Sequence, residues 1–334
     1  LLELLNALSM PEFGDLSPKP PLAVAFSGGA DSTALLLACV AKWGSEPVQR
    51  LRAGHGKHGS IFAIHIHHGL QAAADGFASH CSKVCSDLGV PLHIEYIHAH
   101  HQSGESPEEA ARLARYQAIA RVLTHHWGGE VRQVLLGQHA DDQVETLLLA
   151  LSRGAGIAGI SCMAPRFKRQ EVTYYRPFLG LSSALIRESL TALGQTWVED
   201  PTNADTHFTR NKIRAQIVPS IAQAFPAFRE TFARTAQHAA QAQSLLEELA
   251  AQDLKEIGEP PLIANLQLLS TQRQANLLRY WFKSLGVTAS SNQMRELLIQ
   301  IKSCTTRAHK IHIKLGRGYV RRDGVALAWS ESVQ

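Results

Sequence analysis

Apolar and polar positions follow two rhythms along this chain, and the change between them falls near residue 218. Before it, short apolar runs alternate with stretches of helical spacing. Leu22–Phe26 (LAVAF) is an unbroken apolar run that predicts a buried strand; it breaks at Ser27-Gly28-Gly29 and resumes from Asp31 with helical spacing, giving a helix over Ser32–Lys42. Ile61–His68, Leu92–Ile97 and Val131–Gly137 predict three further strands. Between them, Phe77, Cys81, Val84 and Leu88 fall on one helical face. Ser106-Pro107-Glu108-Glu109 reads as a helix start, with Ser as N-cap, Pro at the first position and Glu completing a capping box. Leu113, Tyr116, Ala120 and Leu123 form that helix's core stripe, and another helix is expected over Ser182–Leu193. Strands alternating with helices predict an α/β fold with a doubly wound, mostly parallel sheet. Leu1–Pro21 reads as a short amphipathic helix and a Pro-rich lead-in.

From Pro219 the alternation stops. Ala-, Gln- and Leu-rich helices are expected over Ser220–Leu254 and Leu268–Leu285, and another over Gln293–Ile301. Lys310–Leu315 and Tyr319–Trp329 then predict a small β-hairpin turning near Gly316–Gly318. The boundary places one domain over 1–218 and a second, mainly helical domain over 219–334.

Composition narrows the class only a little. Over 334 residues, 45% apolar and 19% charged content are those of a globular protein, and a net charge of +4 permits nucleic acid without requiring it. Five cysteines form no CxxC pair, which predicts a reducing, cytoplasmic home. No apolar run reaches the roughly 18 residues of a membrane span. Glu3 and Pro11 near the start argue against a signal peptide.

Candidate chemistry gathers in a few places. A strand turning through glycines into a helix presents free backbone N–H groups and a positive dipole end, a ready phosphate site. Gly28 and Gly29 let the chain approach an anion, Ser27 and Ser32 add hydroxyls, and Asp31 can hold a metal. The GxxxxGK[ST] pattern is absent, and a plain Gly-rich turn is the alternative. His65, His67 and His68 admit a metal, although nearby carboxylates other than Asp75 are lacking; Arg50–Gly59 reads as a polar surface loop. Arg112 and Arg115 share a helix face that follows a strand, where a ligand crevice is expected. In GQHADDQVETLLLALSRG, His139, Asp141, Asp142 and Glu145 cluster at a helix start, either as a metal-and-base group or as acids complementing the dipole. Arg210, Lys212 and Arg214 around Asn211 form either a solvated face or phosphate contacts. Lys302, Arg307, Lys310, Lys314, Arg317, Arg321 and Arg322 are seven cations with no acid between them and Tyr319 interleaved, an RNA-facing pattern.

Taken in order, SGGADS (Ser27–Ser32), HIHHGL (His65–Leu70), EEAARLARY (Glu108–Tyr116), HADDQVET (His139–Thr146), RGAGIAGISCM (Arg153–Met163), RPFL (Arg176–Leu179), and WVEDPTN followed by RNKIR resemble the tRNA(Ile)-lysidine synthetase family of PP-loop ATP pyrophosphatases. The resemblance implies an adenine nucleotide alpha hydrolase-like catalytic domain over 1–218 and a tRNA-binding domain over 219–334. It implies a C–N bond-forming ligase. ATP adenylates the C2 oxygen of the wobble cytidine in the CAU anticodon of tRNA(Ile). The ε-amine of free L-lysine then displaces AMP, changing codon reading from AUG to AUA. Implied ATP contacts are Ser27, Gly28, Gly29, Ala30, Asp31 and Ser32 on the phosphates and His139 on the α-phosphate, with Asp31 holding Mg²⁺. Asp142 and Glu145 would grip lysine and take its proton, and Arg112 would offset developing charge. Arg115, Arg210, Asn211 and Arg214 would meet tRNA. No membrane is involved, and a homodimer is admitted. Members often carry a further C-terminal domain, whereas this chain stops near Trp329. Two other readings remain: tRNA 2-thiolation, which usually employs paired cysteines, and an ATP-gated RNA-binding module without chemistry.

Overall fold

The computed structural model describes residues 1–44, 61–67, 74–97, 107–306 and 309–331, without the side chains of 74, 107–109 and 204. The predicted Arg50–Gly59 loop, His68–Leu70, the Ser106 cap and Arg307 lie outside these residues, as do the side chains of Glu108 and Glu109. The chain divides into two compact units, Leu1–Gln237 and His238–Gln334.

Unit 1 opens with α1 (Leu2–Ala7), a 3₁₀ segment (Pro11–Leu16), β1 (Leu22–Ala25) and α2 (Ala30–Trp43). There follow β2 (Ile61–His67), α3 (Ala74–Leu88), β3 (Leu92–Tyr96), α4 (Pro107–His125), β4 (Gln133–Leu135) and α5 (Ala140–Ser152). A short α6 (Ile157–Ile160), β5 (Arg166–Arg169), β6 (Val172–Tyr175), α7 (Ser183–Ala192), α8 (Thr209–Lys212), a π-helical turn (Ile213–Ile217) and α9 (Val218–Ala224) follow, with further 3₁₀ segments at Pro177–Gly180 and Pro201–Ala204.

The strands form one sheet in the order β3-β2-β1-β4-β6-β5, parallel throughout except for β5. Successive β1 residues face opposite layers. Leu22 and Val24 pack with Leu35, Leu36, Cys81 and Leu190, whereas Ala23 packs with Phe62, Tyr116 and Ile119. Burial on both faces is why β1 reads as an unbroken apolar run. From β1 the chain adds β2 on one side and returns to place β4 on the other. The strand order therefore reverses between β1 and β4, and a crevice at their carboxyl ends is where such sheets bind ligands.

The β5–β6 hairpin was not legible in the sequence. Its connecting residues Gln170 and Glu171 both take positive φ, 49° and 60°, a geometry usually marked by Asn-Gly or Asp-Gly.

In unit 2, the remainder of α10 (Phe228–Ile257, within which the unit division falls) joins α11 (Ile263–Leu266), α12 (Thr271–Ser284) and α13 (Ser291–Ser303). Leu277, Leu278, Phe282, Leu297, Ile301, Leu315, Val320 and Leu327 make its core. The predicted hairpin is a three-stranded antiparallel sheet, β7 (His312–Leu315), β8 (Gly318–Asp323) and β9 (Ala326–Glu331). The long second arm folds back after Asp323-Gly324, itself a hairpin-turn dipeptide.

Candidate functional site

Two loops meet at the reversal point. The first, Ser27–Gly29, leaves β1 and enters α2. Gly28 sits at φ 84°, where a side chain is strained, and a Cβ there would lie 3.1 Å from both Cys81 Sγ and a Val198 methyl. Ser32 folds back on the turn: its hydroxyl donates to Gly29 O (3.1 Å) and accepts from Ser27 N (3.2 Å). Val198 N donates to Gly28 O at 3.0 Å. The Val198 strap is fastened in turn by Glu199, which accepts from Arg187 (2.5 Å) and from the Trp197 indole (2.7 Å). His65 is buried behind the loop with Nδ1 2.9 Å from Phe26 O, and burial lowers its pKa, so the neutral ring donates there. His67 instead packs at a tilt against Tyr96 and lies 3.2 Å from Asp75.

The second loop leaves β4 through Gly137 into α5. A Cβ on Gly137 would stand 3.1 Å from the Asp31 carbonyl carbon and 3.2 Å from Ser32 N, so only glycine lets the two loops close to this spacing. His139 caps α5 in a reciprocal box. Asp142 N donates to its Nδ1 (3.3 Å), and His139 N donates to Asp142 Oδ2 (3.1 Å). With Nδ1 accepting, the ring proton belongs on Nε2, which lies 3.6 Å from Asp31 Oδ2. Burial opposes the charged ring, but Asp31, Asp142 and Asp141 outweigh it and raise the His139 pKa. Asp31 Oδ1 is buried without a hydrogen-bond partner.

The acids of α5 divide between two sets of arginines. Asp141 accepts from Arg229 Nε (2.7 Å) and Ser183 N (2.9 Å); burial works against its charge, but these donors hold its pKa below the usual carboxylate value. Glu145 is 0% exposed and accepts from Arg210 Nε (2.7 Å) and Arg214 Nε (2.6 Å). Asp142 Oδ1 faces the same two guanidiniums at 3.4 and 3.7 Å. A carboxylate with no solvent contact needs such partners, and the π-helical turn after Lys212 carries Arg214 as one of them. Asn211 donates to Thr202 O and Asp205 O at 2.8 and 2.9 Å.

The structure thus brings together Ser27–Ser32, His139, Asp142, Glu145, Arg210 and Arg214. Arg112 and Arg115 lie on the exposed side of α4. Sequence reading passed over Gly137, Val198 and the pairing of Arg210 and Arg214 with acids 65 and 69 positions away. Nothing local signals the arginine pairing. The Gly137 approach has a weak signal, a glycine closing a strand.

Residues 4–221 match the PP-loop domain family, which makes this a PP-loop ATP-binding protein. Residues 262–325 match the TilS substrate binding domain. The chain is 53% identical to the tRNA(Ile)-lysidine synthase of Polaromonas naphthalenivorans, over 93% of this chain and 90% of that protein. Against the same-named proteins of Burkholderia pseudomallei and Escherichia coli O157:H7 it is 38% identical, over 88% and 93% of this chain but 58% and 69% of theirs. The chain belongs to the tRNA(Ile)-lysidine synthase family, whose members are C–N bond-forming ligases. Among solved structures, the U34-tRNA thiolase NcsA from Methanococcus maripaludis with its [4Fe-4S] cluster aligns with a TM-score of 0.56 at 13% identity, over 71% of this chain and 76% of that one. That likeness is one of fold alone, and family membership disfavours thiolation.

Proposed function

We propose that the chain joins free L-lysine to the wobble cytidine of a tRNA(Ile) with a CAU anticodon, at the expense of ATP. The observation that carries this reading is a phosphate-type loop touching a helix start that holds two further carboxylates, Asp142 and Glu145. The C2 oxygen of cytidine is a poor leaving group until adenylated. The loop Ser27–Ser32, including Ala30, would cradle the departing pyrophosphate, with Nε2 of His139 orienting the α-phosphate. The unpartnered Oδ1 of Asp31 fits a divalent cation. No group of three or more His, Cys, Asp or Glu able to hold a metal occurs among the described residues, so ATP phosphates would supply most of its ligands, as is usual for Mg²⁺. Such an ion would neutralise charge on the leaving pyrophosphate.

The lysine amine has a pKa of about 10.4 and reacts only after losing a proton. Asp142 and Glu145 would bind the ammonium and receive that proton, Glu145 by exchanging one cation for another. If Arg210 and Arg214 turn to tRNA phosphates, with Arg115 beside them, the acids they leave attract lysine, which orders lysine binding after tRNA. Asn211 keeps its carbonyl oxygen for RNA. Arg112 would face negative charge developing on the adenylated oxygen. In unit 2, His312 stacks on Tyr319 (4.5 Å) on the sheet face that carries Lys314 and Arg321, a surface suited to RNA. No helix among the described residues is long and apolar enough to cross a membrane, and a cytoplasmic location goes with this reading.

The test is single-turnover incorporation of labelled lysine into tRNA transcripts, comparing wild type with Asp142→Asn and Glu145→Gln. Incorporation should be confined to the isoleucine CAU transcript and fall by about 10²–10⁴-fold in the variants, while pyrophosphate release persists. Unchanged incorporation in both variants would remove the lysine site from α5; no incorporation by folded wild type would remove the function.

A further inference from the structure

Arg176 is held unlike any other arginine of the crevice. It follows β6 directly, beside Gln138 at the carboxyl end of neighbouring β4, and is 7% exposed. Its Nε donates to Gln138 Oε1 (3.0 Å), its Nη1 donates to Ala164 O (2.6 Å), and its guanidinium lies 4.3 Å from the Phe167 ring centre. Tyr116 is a further neighbour that favours its charge. Every one of these groups is neutral.

Neutral acceptors satisfy a guanidinium's hydrogen bonds but leave its charge uncompensated, and a buried charge without a counter-ion is costly. Elsewhere the rule is kept: Glu145, Asp141 and Asp253, all buried or nearly so, each have an arginine. Among the described residues, no ion pair joins Arg176 to a carboxylate. Asp142 acts on it electrostatically, but the oxygens of Asp142 already serve His139 N, Arg210 and Arg214. Arg112 acts on it too, adding positive charge to the same place.

We propose that the missing counter-charge is brought by a ligand, so that Arg176 forms the inner wall of an anion site whose occupant is a phosphate group. Two guanidiniums match a phosphate dianion in charge. Arg176 can keep all its neutral partners meanwhile, because a charge in a low-dielectric wall acts through space. The proposal rests on the reading above only in taking ATP and tRNA as the phosphate carriers.

The experiment measures equilibrium binding of ATP and, separately, of a tRNA(Ile) transcript to the full chain. The variants are Arg176→Met and Arg176→Gln, both neutral, and Arg176→Lys, which keeps the charge. A folded neutral variant should lose about 10–100-fold in affinity for one probe, as expected for a charge-assisted contact. The Lys variant should stay within about threefold, and the unliganded Tm of the neutral variants should match or exceed that of wild type. Loss confined to ATP assigns the nucleotide; loss confined to tRNA, with a shallower salt dependence, assigns the RNA backbone. Wild-type affinity of a folded neutral variant for both probes overturns the proposal. So does equal weakening in the Lys, Met and Gln variants with a lowered Tm in each, since that outcome describes a purely structural arginine. Neither arm needs turnover, so failure of lysine incorporation with both affinities intact would count against the reaction alone.

Discussion

Among the described residues, two carboxylates have no solvent exposure and are gripped by arginine, one in each unit, yet they are built differently. In unit 2, Asp253 on α10 takes a two-pronged grip from Arg273 on α12, one acid to one base. In unit 1, Glu145 takes Arg210 and Arg214 at once, and both arginines are shared with Asp142. The unit 2 pair joins α10 to α12, helices that also bury Leu254, Leu277 and Leu278 in one core. The unit 1 cluster hangs on a short helix and a π-helical turn, a backbone form that recurs at functional sites. A closed pair fixes helices; a shared pair of arginines can release one and still leave Glu145 a cation.

The sharpest break in the comparison is the loss of one arginine. Arg273→Ala strands the buried Asp253 carboxylate and should lower the urea-unfolding midpoint more than the loss of either arginine of unit 1; an unchanged midpoint would erase the distinction. Arg214→Ala should cost less, about 1–2 kcal/mol, because Arg210 still holds Glu145 Oε2 at 2.7 Å. The double variant with Arg210→Ala should then cost more than the sum of the singles, by roughly 1–3 kcal/mol. A strictly additive double-mutant cycle would show that the two arginines do not back each other up.

The smallest effect is one of pH. Asp141 has a depressed pKa from Arg229 and Ser183 N, so its contribution to stability is present above the ordinary carboxylate pKa of about 3.9 and lost as pH falls through the lower folded value. Asp141→Asn should therefore flatten the acid limb of the stability–pH curve by about 1 kcal/mol and leave its neutral limb parallel to wild type. An unchanged acid limb would place the acid sensitivity on other groups.

Much of this architecture could be read before any coordinates. The β1 run, the glycine break and the acids after β4 are local signals, and burial on both sheet faces follows from unbroken apolar character. What stayed hidden was non-local or weakly coded. Asp142 and Glu145 look like open carboxylates along the chain, because their arginines come from another element. His139 as a cap is unsignalled, since imidazole is an uncommon capping group beside Ser, Thr, Asp and Asn. The Gln170-Glu171 turn adopts left-handed angles with residues that seldom choose them.

That hairpin has a consequence for how the molecule keeps to itself. β5 is the outermost strand of the sheet on its side, and its sequence is Arg166-Phe167-Lys168-Arg169. An outermost strand offers unpaired backbone groups on which another chain can build, and dense like charge discourages that addition. The basic tetrad thus serves as a gatekeeper against edge-to-edge aggregation, while its one aromatic member, Phe167, turns inward to stack on Tyr174. Neutralising Arg166, Lys168 and Arg169 together would strip that charge from a strand on which fibrous self-association can begin.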